Sequence, residues 1–314
     1  MVDYFSVLFI LSLETLLYLF HLSVLILLFA KQRSIFKGPF YSIFKIVLVV
    51  DLVSFVVMVI SKKLPQFSTS LRDYYRNAEF FASLAFIIIS YVSAIQFLGH
   101  TILAFNRFTL IWFPLKHKQI WNRLWLFILL LLGAPFIHVS IRFNEPGAFI
   151  IISDSNISVG LKNKEALTTF LLISAIIYVS TTFIAAILNI LSFSKFYFHK
   201  QTSSGINVNE KNLLFVSLIV FIAQLIRCSY NINRTLFPSN AELAAFFIEA
   251  LPYFSDIFAL SGSISLFILS QTVREQYKQF YLFRSRVSSL RKVSVISAPR
   301  RISTNISQIS TGIR

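Results

Sequence analysis

Seven long apolar stretches constrain this chain more than any other feature of its sequence. A helix needs about 20 apolar residues to cross a hydrocarbon core about 30 Å thick, and each stretch meets or approaches that length. Gly and Pro supply only 8 residues each, which favours long unbroken helices. The sequence therefore predicts an all-α membrane protein, a seven-transmembrane helix bundle. The predicted spans are Tyr4–Ala30, Phe40–Ile60, Ala78–Phe105, Leu124–Ile141, Leu167–Ser194, Leu213–Tyr230 and Ala245–Ser270.

The lengths of these spans are unequal, and the composition as a whole agrees with a membrane protein. The fourth and sixth spans are short and the third and fifth are long, which indicates unequal tilt. Apolar residues make up 56% of the chain and charged residues 13%, against about 25% charged in soluble domains. The net charge of +16 does not indicate nucleic acid, because the basic residues lie in short loops and in the tail. The predicted surroundings are a lipid bilayer.

The distribution of positive charge predicts the orientation of the bundle. With the N-terminus outside, twenty of the 29 Lys and Arg residues fall on the inner side, as the positive-inside rule requires. We therefore expect the N-terminus outside and the C-terminus in the cytoplasm. Residues 1–271 would form the bundle and residues 272–314 a basic, Ser-rich cytoplasmic tail. The start of the tail fits either an amphipathic helix on the inner leaflet or a solvated stretch.

Glycosylation sequons offer an independent check of this orientation. Asn156 and Asn233 each begin an Asn-X-Ser/Thr triplet, which marks an acceptor on the outer side of a membrane protein. They fall in the predicted second and third outer loops. A third triplet, at Asn305, lies in the tail and should stay unmodified.

The third predicted span ends in a motif that carries its own physical logic. Asn106-Arg107-Phe108 is followed by Phe113-Pro114 and then by Trp121. A guanidinium at a helix end can pair internally or offer its donors to an inserted partner. Alternatively, the side chain of Arg107 would extend outward to the lipid head groups.

The seventh span carries a second group of motif residues. Leu251-Pro252 and Ser255-Asp256 lie within it, and Ser270 and Val273-Arg274 follow at its end. Together with the third-span motif, this pattern resembles the nematode serpentine chemoreceptors of the Srg superfamily, across essentially all seven helices. The resemblance implies a G-protein-coupled chemosensory receptor at the plasma membrane of sensory neuron cilia. Its implied partners are an external small molecule or pheromone and a heterotrimeric G protein.

By the same resemblance, Arg107 corresponds to the Arg that meets the G-protein α-subunit in rhodopsin-like receptors generally, and Asn106 is its neighbour in the predicted switch. Asn106 stands where rhodopsin-like receptors usually carry an acid, so one local partner of Arg107 is missing. Glu210, just before the sixth span, is a candidate substitute. We hypothesise that it pairs with Arg107 at rest and releases it when the sixth helix moves. An exposed pair contributes only about 0–1 kcal/mol, so it would bias a switch without locking it.

Polar residues inside the spans are the remaining candidates. Acids in lipid are costly and usually face the bundle interior, where they find partners. We predict an intramembrane polar network that includes Asp51, Asp256 and Asn189, with Asn189 and Ser261 as candidate donors to Asp51. Asp256 would contact ligand or balance a charge, and the sequence does not decide between these roles. The sequence assigns no residue to a ligand pocket.

Two other classes of function are a transporter or channel subunit and an intramembrane enzyme. In a transporter or channel subunit, Glu14, Asp51 and Asp256 would line a path. An intramembrane enzyme would need two Asp residues at one site, and the acids here sit at unmatched depths. One cysteine and scattered histidines predict no metal and no cofactor, and no nucleophile-and-base grouping indicates catalytic residues.

Overall fold

The computed structural model describes residues 4–140, 142–151, 157–198, 208–236 and 241–282. The α-helices in these ranges are α1 (Tyr4–Ala30), α2 (Pro39–Met58), α3 (Thr69–Arg76), α4 (Glu79–Trp112), α5 (Pro114–Trp121), α6 (Leu124–Ser140), α7 (Lys164–Phe198), α8 (Val208–Leu236), α9 (Ala241–Leu269) and α10 (Gln271–Tyr277). A π-helical turn (Val59–Lys63) and a short 3-10 helix (Leu64–Phe67) continue α2, and a π-helical turn (Lys278–Leu282) follows α10.

Seven membrane crossings account for the long helices. The helices α1, α2, α4, α7, α8 and α9 each contain a stretch long and apolar enough to cross a bilayer. The seventh crossing is α6, which has 17 residues and joins α5 at a bend of 62°. The predicted fold class, an all-α bundle of seven transmembrane helices, is confirmed.

The helix of the sixth span extends beyond the predicted boundaries at both ends. It was expected to be short, yet α8 runs for 29 residues. Its last turns are polar, and their side chains bond to their own helix: Asn231 and Asn233 donate to the carbonyls of Arg227 and Ser229, both at 2.9 Å. A hydropathy profile does not detect such turns, because polar side chains lower the mean hydropathy although the helix continues. Here these side chains form hydrogen bonds with carbonyls of their own helix. Asn233 therefore lies in a helix and not in the predicted loop.

A two-stranded hairpin, absent from the predicted all-α fold, lies between α6 and α7. Its antiparallel strands are β1 (Gly147–Ile151) and β2 (Ile157–Leu161), with Phe149 opposite Val159. The backbone amide of Gly147 donates to the Ser83 hydroxyl of α4 at 2.6 Å. A Cβ at Gly147 would stand 2.3 Å from the Ser83 backbone nitrogen, so only glycine permits this approach. The hairpin thus rests directly on the first turns of α4.

The helix α4 is the centre of the bundle, since it packs against α2, α6, α7, α8 and both strands. Gly99 allows the close crossing of α4 and α2, because a Cβ there would lie 2.5 Å from Cγ2 of Val47. We call the end of the bundle where the hairpin meets α4 the hairpin end. The opposite end, where α4 carries Arg107, is the Arg107 end.

The bundle through Arg274 and the segment from Glu275 onward are separate compact units. In the second unit, the rings of Tyr277 and Tyr281 lie 4.6 Å apart between centroids. The start of the predicted tail is therefore helical, while its binding to the inner leaflet stays a prediction. The remainder of the tail, with Asn305, lies outside the described residues.

Candidate functional site

Arg107 points into the bundle. Its residue is 4% exposed, and its guanidinium carbon lies 4.1 Å from the centre of the Phe40 ring on α2. A cation over an aromatic face in this way contributes about 0.5–2 kcal/mol. The alternative in which Arg107 extends outward to lipid head groups does not match this buried position.

Hydrogen bonds within the rest of the third-span motif hold α5 against the last turns of α4. The Thr109 hydroxyl lies 3.0 Å from Nδ1 of His117 and accepts the indole N–H of Trp121 at 2.9 Å. It also donates to the backbone carbonyl of Asn106 at 3.1 Å. Thr109 therefore links Trp121 of the motif to Asn106 by hydrogen bonds. The sequence alone did not indicate this residue.

Asn106 and Glu210 are the other two residues predicted at this end. The structure describes the side chain of Asn106 but not that of Glu210. Asn106 is 1% exposed, and among the described residues its side-chain nitrogen has no hydrogen-bond partner. Glu210 lies in the first turns of α8, but its side chain is outside the described residues. Its pairing with Arg107 stays a prediction.

The predicted polar network is divided into separate pairs. Asp51 accepts a hydrogen bond from the side-chain amide of Gln96 at 2.7 Å, which joins α2 to α4. Asn189 accepts from the Ser217 hydroxyl at 3.0 Å, which joins α7 to α8. Ser261 donates within its own helix, to the carbonyl of Phe258. The prediction that Asn189 and Ser261 donate to Asp51 is therefore wrong. The donor is Gln96.

Asp256 belongs to a buried ion cluster that ties three helical segments together. Lys63, in the π-helical turn after α2, donates to Glu14 of α1 and, at 3.3 Å, to Asp256 of α9. The Tyr18 hydroxyl donates to the other oxygen of Asp256 at 2.9 Å. Of the two roles left open for Asp256, the contacts match charge balance.

Lys63 lies beyond the predicted second span, Phe40–Ile60, and the sequence did not indicate it as a member of this cluster. It is buried because α2 continues past its last α-helical residue through the π-helical turn. A signal was present, since two acids within spans call for a counter-charge. Lys62 and Lys63 follow the predicted second span after one residue and are candidates for that charge.

A cavity of about 70 Å³ lies under the hairpin, between α4, α7, α8 and α9. Serine hydroxyls, aromatic rings and two basic side chains form its walls. Among the lining residues are Lys62, Ser90, Ser93, Ser158, Tyr178 and Arg227. Arg227 donates to the Leu251 carbonyl at 3.2 Å, beside the Pro252 of the seventh-span motif. Many of its lining residues are polar, and its volume is below the about 300–1,000 Å³ of typical small-molecule sites, so a ligand of that size requires the surrounding helices and the hairpin to move apart.

The helix α3 supports this end of the bundle from the side. The Tyr75 hydroxyl donates to the Ile60 carbonyl at 2.8 Å, and its ring lies 5.0 Å from that of Phe149 in the hairpin. Burial, with a smaller effect of Tyr74, raises the pKa of Tyr75. The hydroxyl therefore stays protonated and keeps donating.

In the described ranges, no group of three or more His, Cys, Asp or Glu residues is placed to hold a metal ion.

Seven membrane helices with a covered cavity at one end and a buried Arg at the other define a class, the seven-transmembrane receptors. The family described as serpentine type 7TM GPCR chemoreceptor Srv matches residues 5–281. The chain belongs to this family.

A relative from a nematode agrees with the assignment. The chain is similar to serpentine receptor class gamma-3 of Caenorhabditis elegans, with 21% identity over 241 residues, which cover 74% of this chain and 68% of that protein. The resemblance to nematode serpentine chemoreceptors predicted from the motifs is confirmed. The chain is a multi-pass membrane protein and a chemosensory receptor of the GPCR type, from a family of receptors and not of enzymes.

Proposed function

We propose that this receptor binds an external small molecule or pheromone under the hairpin and activates a heterotrimeric G protein at the Arg107 end. One observation carries the proposal: a single helix, α4, lines the cavity with Ser93 and holds Arg107 in the bundle. The two residues are about 21 Å apart along the helix, at about 1.5 Å per residue. A shift of α4 caused by a ligand would therefore move Arg107 directly.

The proposed orientation places the hairpin end outside the cell. Its support is the excess of Lys and Arg on the side of the Arg107 end and in the tail. Glycosylation at Asn156, which lies outside the described residues, belongs to the same proposal. The position of Asn233 in a helix, at the end of a candidate membrane span, counts against its modification. The family suggests the plasma membrane of sensory neuron cilia as the location.

The proposed mechanism is a shift between two populations. A ligand that binds better to a state open at the Arg107 end raises the occupancy of that state. In the resting state Arg107 is held on Phe40. In the open state it leaves this ring and offers its guanidinium donors to the G-protein α-subunit. Asn106 and Glu210 would adjust the balance between the two states.

A transporter or channel subunit is the competing function, and the positions of the acids count against it. Glu14 and Asp256 bind the same lysine, whereas Asp51 binds Gln96. Each of the three acids thus has a donor from another helical segment, which fits a structural role.

The test is a calcium or cAMP assay in cells that express the chain, screened against volatile compounds and small-molecule extracts. An active sample should give a G-protein-dependent response that Arg107→Ala abolishes. Arg123→Ala, which changes an exposed basic residue at the same end, should respond like the unaltered receptor at equal surface expression. Uptake or current without a G protein, or an unchanged response in Arg107→Ala, would contradict the proposal.

A further inference from the structure

A second cavity, distinct from the one under the hairpin, opens on the outer face of the bundle. It has a volume of about 590 Å³ and is formed mainly by α1 and α9. Small-molecule sites typically have about 300–1,000 Å³. The cavity follows α9 from Tyr253 to Leu269, a length of about 24 Å at about 1.5 Å per residue. Leu13 and Ile257 on its rim are 49% and 51% exposed, so it is open toward the lipid. We call it the α1–α9 cleft.

The walls of the α1–α9 cleft are apolar except at one place. Glu14 and Asp256, the two acids of the ion cluster, both line it, and its other residues with a polar side-chain group are Tyr253, Ser261 and Ser265. One ammonium, that of Lys63, serves both carboxylates. Among the described residues the cluster thus has two carboxyl groups for one ammonium, and it lies beside a cavity with mainly apolar walls.

Glu14 supplies an independent sign of a missing partner. Its side chain is only 9% exposed, and one of its oxygens, Oε2, accepts from Lys63. The other oxygen, Oε1, is buried and has no hydrogen-bond partner within the described part of the chain. A buried acceptor without a donor is costly, so such atoms are normally satisfied by a ligand, water or protein group.

We propose that the α1–α9 cleft is a second ligand site, which takes a hydrophobic amine from the bilayer. The protonated amine donates to Oε1 of Glu14, and its aliphatic body lies along α9. The head group is selected by charge, because an amine brings a second ammonium to two carboxyl groups that share one, whereas a carboxylic acid would bring a third acid and an alcohol no charge. The open rim at Leu13 and Ile257 permits approach from the lipid side. This site does not depend on which ligand binds under the hairpin.

Native mass spectrometry of the full chain in a nonionic detergent tests the proposal with three probes of equal length: dodecylamine, dodecanol and dodecanoic acid. Dodecylamine should form the most abundant adduct. Glu14→Gln should lower its affinity about tenfold or more, as expected for the loss of a hydrogen bond to a charged group. Glu79→Gln is the matched control, because Glu79 also pairs with a lysine but is 55% exposed. It should leave the adduct unchanged.

A second variant keeps the test decisive if Glu14→Gln does not fold. Leu13→Trp fills the cleft from its exposed rim without altering the ion cluster, and it should reduce the dodecylamine adduct while the melting temperature is maintained. Equal adducts for dodecylamine and dodecanol would overturn the proposal. So would an amine adduct that persists in both Glu14→Gln and Leu13→Trp, since the ion cluster would then only join helices.

Discussion

At the scale of single residues, the membrane-embedded acids show what a sequence reveals and what it hides. Glu14 and Asp51 are conspicuous because a charge interrupts an apolar run. Their partners are not, because Gln96 is neutral and Lys63 stands at the end of a span. The sequence therefore located the acids, whereas only the fold identifies their donors. The same holds for Arg107, whose aromatic partner Phe40 is one of 35 Phe residues.

The Asp51–Gln96 pair leads to a stability prediction. Gln96→Leu removes the donor and leaves a buried acceptor unpaired, which should cost about 1–3 kcal/mol of stability. The apparent melting temperature of the receptor in detergent measures the loss. The double variant Asp51→Leu/Gln96→Leu should recover most of it, because both polar groups are then gone.

Gln119→Leu is the control for this pair, since Gln119 is exposed on α5 and should not change the melting temperature. A double variant no more stable than Gln96→Leu alone would show that the unpaired Asp51 carboxylate is not the cause of the loss.

At the scale of elements, apolar length predicted the seven crossings well but not the elements that lie around them. The predicted fourth span, Leu124–Ile141, differs by one residue from α6, which ends at Ser140. The hairpin was missed because each strand has only five residues and gives no hydropathy signal comparable to a span. The continuation of α2 through Lys63 was missed because two lysines look like the start of a loop. The cavity under the hairpin depends on both features, so no pocket residue could be assigned from sequence.

The seating of the hairpin on α4 depends on one glycine. Gly147→Ala would place a Cβ against the backbone of Ser83, which has no freedom to move aside. We expect the variant to lose about 1–3 kcal/mol of stability, the usual range for overpacking, and to melt at a lower temperature.

Gly133→Ala is the matched substitution, because a Cβ at Gly133 meets no atom within 4 Å. It should melt at the same temperature or slightly higher, as alanine favours the helix. Equal melting temperatures for the two variants would mean that the contact between Gly147 and Ser83 is not close in the folded receptor.

At the scale of the whole molecule, the bundle has two different ends joined by α4. The hairpin end has a covered cavity and basic side chains, and the Arg107 end has a buried guanidinium on an aromatic ring. The proposed function needs these ends on opposite sides of the membrane, with the hairpin end outside. The ion cluster of Glu14, Lys63 and Asp256 ties α1, α2 and α9 together between them. The orientation is therefore the claim on which the proposed ligand and G-protein sites both depend.

Antibody labelling of an epitope tag placed after Arg314 tests that claim most directly. We expect this tag to be labelled only after the cells are permeabilised, and a tag before Met1 to be labelled on intact cells. Labelling of the tag after Arg314 on intact cells would place the Arg107 end outside, where no G protein can reach it, and would contradict the proposed function.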